Sequence, residues 1–287
     1  MHHCRLLKPD EQARLEAFLL PRLETSMFLI ANSREYGLAP GTKRLNGSYA
    51  ALVDQSDQTI QAVATHYQHG FLIVQLPSNL ETKSVCQLAL ENSGQELKGI
   101  IGASEQVEKI CSEMNLLPEQ IRLNSDEILY QLPLEQLRQP TLPNVSGRPA
   151  TTEDLAFVID WFITYQIETG DIVSDSKEVR KSATERIENQ IEEASIWLLL
   201  HENTPVAMAG YNAKIKEAVQ IGGVYTPPQH RNQGFAKTVV ATALQAALET
   251  GIKKGILFTH HENTPARKAY ESLGFQAIGN YRICLLR

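Results

Sequence analysis

The sequence predicts an α/β (α+β) chain of two domains. Three observations point there: a length of 287 residues, large for a single core; helical and strand patterns that recur in the same order twice; and a Pro/Gly break near the middle. With 43% hydrophobic and 21% charged residues, the composition excludes a disordered or membrane chain. No run approaches the roughly 20 apolar residues that cross a bilayer. The amino terminus has no apolar signal region, so a cytoplasmic location is expected. A net charge of −6 argues against nucleic acid as the main partner and favours a cationic or amine-bearing substrate.

In the first half, helical patterns at about 10–20 and 25–32 precede strands near 47–54, 60–67 and 71–76. A helix follows near 81–92. Lys98-Gly99-Ile100-Ile101 then opens a strand, followed by a short helix and a hairpin-like tail through Ile128-Leu129-Tyr130-Gln131-Leu132. Two prolines, a glycine and polar residues between Gln139 and Gly147 mark the boundary. The expected division is therefore 1–139, a linker over 140–147, and 148–287.

The second half opens with Thr151-Thr152-Glu153-Asp154, which resembles a capping box before an apolar-periodic helix. A helix over 177–191 and strands at 196–200 and 206–211 lead to Ala218–Tyr225, a short apolar segment rich in β-formers. Pro227 and Pro228 cannot donate ladder hydrogen bonds and end that strand. From Phe235, Val239, Val240, Ala243, Leu244, Ala247 and Leu248 fall at helical spacing. Gly251, with Lys253 and Lys254 beyond it, marks the stop.

Between that strand and helix lies the segment most specific about chemistry. Gly234 permits close backbone approach, Ala236 keeps the next position small, and the helix start offers unpaired N–H groups to an anion. Arg231 and Lys237 flank the turn and add charge-assisted contacts to phosphate oxygens. A Walker loop fails here, because its glycine positions hold Arg231 and Ala236, and the Gly-x-Gly-x-x-Gly fingerprint is missing. A plain strand–turn–helix connection is the alternative.

Arg231, Gly234 and Ala236 match the Gln/Arg-x-x-Gly-x-Gly/Ala signature of the GNAT superfamily of acyl-CoA-dependent N-acyltransferases. The segment is followed by Gly255-Ile256-Leu257-Phe258-Thr259, then Asn263, Tyr270 and Leu273-Gly274-Phe275, in the family's order. The second half thus resembles a GNAT domain, and its Val-Tyr-Thr-Pro-Pro and Leu-Phe-Thr segments look like one bacterial branch of predicted acetyltransferases. Ala236 replaces the commoner glycine, and His260-His261-Glu262 stands where that branch more often has Asp-Leu-Ala. The resemblance implies a mixed, mostly antiparallel twisted sheet flanked by helices.

It also implies acetyl-CoA as acyl donor and an amine as acceptor, joined by direct attack in a ternary complex. Backbone amides from Gln233 to Lys237, including Phe235, would bind the diphosphate, with Arg231 and Asn232 on the same turn. Val224, Tyr225 and Thr226 would line the pantetheine arm, as an added strand would, and Asn263 and Arg267 would contact the cofactor. Asn263 before Thr264-Pro265 also reads as a helix N-cap. Tyr270 would sit at the thioester sulfur, or it is simply a half-buried helix residue. A phenol is a weaker acid than a thiol, so full proton transfer to the thiolate is uphill by roughly 2 kcal/mol. Tyr270 would then mainly hydrogen-bond the leaving sulfur, and an N–H near Val224 would meet the oxyanion. Glu168, His260 and His261 are the base candidates, beside a water chain; Glu168 is also readable as a solvated helix-end charge. A non-catalytic acyl-CoA-binding sensor or scaffold and a nucleotide-binding module are the rival readings.

No metal is expected from His260-His261-Glu262, which lacks a ligand at helical spacing. Cys4, Cys86, Cys111 and Cys284 share no Cys-x-x-Cys pattern and read as small buried residues of a reducing compartment. Lys98–Ile101 matches Lys254–Leu257, which suggests an internal duplication; an unrelated α/β domain is the alternative. Yet no glycine occurs from Phe71 to Ser93 and no tyrosine from Ser104 to Leu117. The first half is therefore expected to be a degenerate GNAT-like domain without a CoA site. Structure, substrate shaping or subunit contact, as in a homodimer, are its candidate roles.

Overall fold

The computed structural model describes residues 2–77 and 82–287. It divides into two compact units: Met1–Leu129 with Ile278–Arg287, and Tyr130–Ala277. The division falls before the boundary expected at 139 and assigns the last ten residues to the first unit.

The first unit runs β1 (His2–Leu6), α1 (Gln12–Leu19), α2 (Leu23–Tyr36), β2 (Gly47–Asp54), β3 (Ile60–Tyr67), β4 (Phe71–Gln75), α3 (Lys83–Ser93), β5 (Gly99–Ala103), α4 (Ser104–Glu113) and β6 (Ile121–Pro133). The second repeats the order: β7 (Val145–Pro149), α5 (Leu155–Glu168), α6 (Lys177–Glu192), β8 (Ile196–His201), β9 (Thr204–Lys214), β10 (Ala218–Tyr225), α7 (Phe235–Glu249), β11 (Lys254–His260), α8 (Thr264–Leu273) and β12 (Gln276–Leu286). Of the helix expected near 81–92, residue 81 lies outside the described residues. β1 and β7 were not expected. β7 occupies the last part of the proposed 140–147 linker.

The strands follow the order β1-β2-β3-β4-β5-β12 in the first unit, to which residues from Ile278 onward of β12 belong, and β6-β11-β10-β9-β8-β7 in the second, which β6 enters at Tyr130. One pair in each runs parallel, β4 beside β5 and β10 beside β11, whereas β1–β2, β2–β3, β3–β4, β7–β8, β8–β9 and β9–β10 are antiparallel. β12 pairs antiparallel with β5, from Tyr281 opposite Ala103 to Leu285 opposite Gly99. The first sheet is thus completed by a strand from the chain's far end.

Strand alternation builds the cores. Ala50, Leu52, Ala62, Ala64, Leu72 and Val74 present one face to Val85, Cys86 and Ala89 of α3 and to Val107 and Ile110 of α4. In the second unit, Val158, Ile159, Phe162 and Ile163 of α5 join Ala183 and Ile187 of α6 over Ile196, Leu198 and Met208. The helix beginning at Phe235 buries Val239, Val240, Ala243, Leu244 and Ala247 of the stripe its spacing predicts, whereas Leu248, expected in the same stripe, is only half-buried.

One ionic device occurs twice. Arg5 Nη1 donates to the Leu6 carbonyl and to Glu11 Oε2 at 2.6 Å, and the Lys8 amide donates to the same carboxylate. Arg148 Nη1 donates to the Pro149 carbonyl and to Asp154 Oδ2 at 2.6 Å, and the Thr151 amide donates there too. The arginine sits in the first strand of each unit and the acid closes the 3-10 turn before the first helix. The adjoining amides match as well, Leu7 donating to Tyr49 and Ala150 to Ile196.

Candidate active site

β10 and β11 run together only from Ala218 opposite Lys254 to Gln220 opposite Ile256, and then part. On its other side, β10 slips register against β9 between Gly222 and Tyr225. Gly223 has a φ of +59°, a left-handed conformation that glycine adopts without penalty. A Cβ on Gly222 would lie 1.9 Å from Asn212 Nδ2. The bulge leaves Val224, Tyr225 and Thr226 at the mouth of the divergence. The Thr226 hydroxyl is buried there without a hydrogen-bond partner, although burial of such a group ordinarily demands one.

The chain next makes a 3-10 turn at Pro228–His230 and enters α7 through Gly234, at φ +81°. Thr238 donates to the Gly234 carbonyl at 3.2 Å, so the amides of Phe235, Ala236 and Lys237 precede the helix's own ladder. No side chain caps this end. A Cβ on Gly234 would stand 3.4 Å from the Lys237 stem, in a conformation already strained for an L residue. These groups fit a diphosphate: consecutive amides, a positive helix end and a small residue where the ligand must approach.

Arg231 frames the turn. Its Nε donates to the Thr226 carbonyl at 2.9 Å, its Nη2 to both carboxylate oxygens of Glu168 at 2.8 Å, and its guanidinium lies 5.8 Å from the Tyr225 ring centroid. Tyr225 in turn lies 6.0 Å from the Trp161 ring. Two expected site residues, Glu168 and Arg231, are thus brought together, and an aromatic wall of Trp161 and Tyr225 is added. Burial first, and then the Glu168 charge, raises the Tyr225 phenol above its ordinary pKa. Asn232 has φ +62° and is exposed beside Gln233.

Asn263 takes the N-cap position of α8, accepting from the Ala266 amide at 3.2 Å. Its side-chain oxygen serves the helix, which leaves its NH2 for a ligand. Arg267 donates to the His261 carbonyl at 2.9 Å and so braces the preceding loop. The His260 Nδ1 accepts from the Glu262 amide at 3.2 Å. Neutral His260 therefore carries its proton on Nε2. Tyr270 is buried on α8, its ring 6.0 Å from Phe275, and α8 packs against α7. Gly274 ends α8 at φ +105°.

Sequence reasoning did not anticipate the Trp161 contact or the Arg148–Asp154 support. A signal for the latter existed: Arg followed six residues later by an acid occurs at 5/11 and again at 148/154. Among the described residues no group of three or more His, Cys, Asp or Glu side chains is placed to hold a metal ion. No helix of the described residues is long and apolar enough to cross a membrane.

Residues 158–275 match the family model described as "Acetyltransferase (GNAT) family". N-acetyltransferase 8 of Homo sapiens is 31% identical over 94 residues, covering 31% of this chain and 41% of that protein. An uncharacterized N-acetyltransferase, YycN, of Bacillus subtilis is 44% identical over 54 residues, 19% of this chain and 33% of that protein. The chain therefore spans less than half the length of these curated relatives. The fold extends further than the sequence likeness. A GNAT-family acetyltransferase from Colwellia psychrerythraea superposes with a TM-score of 0.53 at 16% identity, covering 99% of each chain. A tandem GNAT protein from the clavulanic acid biosynthesis pathway gives 0.59 at 8% identity, covering 99% of this chain and 98% of that one. The family's domain is thus matched across residues 158–275, from α5 to α8 of the second unit, and the fold of the chain is like that of tandem GNAT structures.

Proposed function

We propose that the second unit moves an acetyl group from acetyl-CoA to a primary amine, by direct attack of the amine within a ternary complex. The observation that carries this reading is the uncapped start of α7 behind left-handed Gly234, set at the divergence of β10 and β11. Acetyl-CoA supplies a thioester, an acetyl group already activated for transfer.

This chain's residues supply the rest. The amides of Phe235, Ala236 and Lys237 hold the diphosphate, and Lys237 adds charge. Val224 and Thr226 present the strand edge that orients the pantetheine amides, and the orphaned Thr226 hydroxyl gains a partner. Tyr270 donates to the departing sulfur. Glu168 receives the amine proton, directly or through water. His260 ranks behind it, because its Nδ1 lone pair is engaged by the Glu262 amide.

The first unit is assigned no cofactor. Residues 78–81 lie outside the described residues, and the end of β4 supports the assignment. Gln106 Oε1 accepts from the Leu76 amide at 2.7 Å, taking up a donor at the position that corresponds to the pantetheine edge. The unit is left with a structural or acceptor-shaping role.

The test is thiol release from acetyl-CoA across a panel of primary amines, with the full chain. Amine-dependent release with acetylated product supports the proposal. Acetyl-CoA binding with no release for any amine would leave a CoA-binding scaffold instead.

A further inference from the structure

Two thiols in the first unit meet although 173 positions separate them in sequence: Cys111 Sγ lies 3.8 Å from Cys284 Sγ. Cys111 is half-buried on α4. Cys284 is fully buried on β12, where it pairs with Ile100 of β5. No disulfide joins any of the four cysteines. All four nevertheless converge on one core, Cys86 and Cys284 within it and Cys4 and Cys111 packed against it. Convergence of the chain's whole thiol complement is not required by packing, since alanine or valine fills such positions without redox chemistry.

A disulfide needs a sulfur–sulfur distance of about 2.05 Å, so the pair must close by about 2 Å, a displacement within reach of side-chain rotation. We propose that Cys111 and Cys284 form an oxidisable dithiol, converted by hydrogen peroxide to an intramolecular disulfide that staples β12 to α4. The half-buried Cys111 meets the oxidant. Its sulfur bonds to one peroxide oxygen, the O–O bond breaks, and water leaves. Cys284 sulfur then attacks the resulting sulfenic acid, the S–S bond forms, the S–O bond breaks, and a second water leaves. The dithiol loses two electrons and two protons and one peroxide becomes two waters. The Cys111 thiol donates to the Cys284 sulfur, and this hydrogen bond, with the Arg282 charge behind it, favours the Cys284 thiolate against the cost of its burial. The same hydrogen bond holds the proton on Cys111, so that shared proton passes to Cys284 as Cys111 attacks peroxide in its thiolate form.

The staple closes a loop spanning 173 positions, more than half of the chain, so it restricts the unfolded ensemble strongly. It also fixes the strand that begins at Gln276, directly after α8 and Gly274. The inference stands apart from the proposed acetyl transfer, since both cysteines belong to the first unit.

The experiment exposes the reduced full chain to hydrogen peroxide, unfolds it in alkylating reagent, and maps the peptides. Alkylable thiols are expected to fall from four to two, with the Cys111 and Cys284 peptides joined, and dithiothreitol to restore all four. The thermal midpoint should rise by on the order of 5 °C on oxidation. Neither change is expected in Cys111→Ser, whose substitution is on a half-buried helix position, nor in Cys284→Ala. Four thiols remaining, over-oxidation of Cys111 without a cross-link, or a Cys4–Cys86 bond in place of this one would each overturn the proposal.

Discussion

Arg231 and Glu168, 63 residues apart in sequence, are joined by contacts of 2.8 Å from one guanidinium nitrogen to both carboxylate oxygens. The pair ties the end of α5 to the turn that precedes α7. Both side chains are about two-fifths exposed, so solvent screening limits the pair's worth to about 1 kcal/mol or less. Its importance is positional: the candidate base and the candidate anion turn share one contact.

Glu168→Gln is expected to leave the thermal midpoint within about 3 °C of the unaltered protein. Amine-dependent turnover at saturating acetyl-CoA should fall about 100-fold, the usual scale for losing a general base. Unchanged turnover would reduce Glu168 to an anchor for Arg231.

Tyr270→Phe removes one hydroxyl from a buried helix position and keeps the ring against Phe275. The expected result is a loss of about 100-fold in kcat with acetyl-CoA affinity unchanged. Steady-state kinetics with a binding titration separates the two. Equal turnover in the variant would remove Tyr270 from the mechanism.

Acid should unfold the chain through its repeated strand–helix junctions. The Arg5 guanidinium, assisted by the Lys8 amide, holds Glu11 down to about 2 from an ordinary 4.5, against the opposing effect of burial. Arg148 lowers Asp154 in the same manner. A depressed carboxyl pKa means the unfolded chain binds more protons in this window, so the stabilisation is complete above about pH 4.5. It is lost as pH falls from there through about 2. Glu11→Gln should cost on the order of 2 kcal/mol at neutral pH and flatten the acid limb of the stability profile. An unaltered limb in urea titrations from pH 5 to 3 would show that the pair contributes nothing to folding.

The elements richest in periodicity are legible in the amino-acid sequence. β10 and α7 end where their apolar spacing, Pro227 and Gly251 place the stops, because burial of one face dictates that spacing. β7 was not legible. Val-Ser-Gly-Arg-Pro has the turn-forming residues of a loop, and it survives as a strand because it lies at the end of the strand order, where a missing donor is tolerated. β1, at the end of the first unit's strand order, is as short and as polar. The placement of β12 beside β5 was invisible too, since alternation shows that a strand has a buried face but not which strand it joins.

Within the site, the turn from Arg231 to Lys237 was readable because its geometry needs particular residues in consecutive positions. The partners of those residues were not. Glu168 finding Arg231, Trp161 finding Tyr225 and Cys111 finding Cys284 all depend on chain folding over long separations. Asn263 shows the intermediate case, its N-cap role being local enough to read from Asn-Thr-Pro.

The central claim is that the start of α7 in the second unit holds the cofactor's diphosphate. Isothermal titration of acetyl-CoA into the unaltered chain and into Gly234→Glu, each checked for folding by circular dichroism, tests it most directly. One saturable site is expected in the unaltered chain and at least a 100-fold loss of affinity in the folded variant, since an anionic side chain would be strained at φ +81° and would repel the ligand. A folded Gly234→Glu protein that binds acetyl-CoA as tightly as the unaltered chain would contradict it.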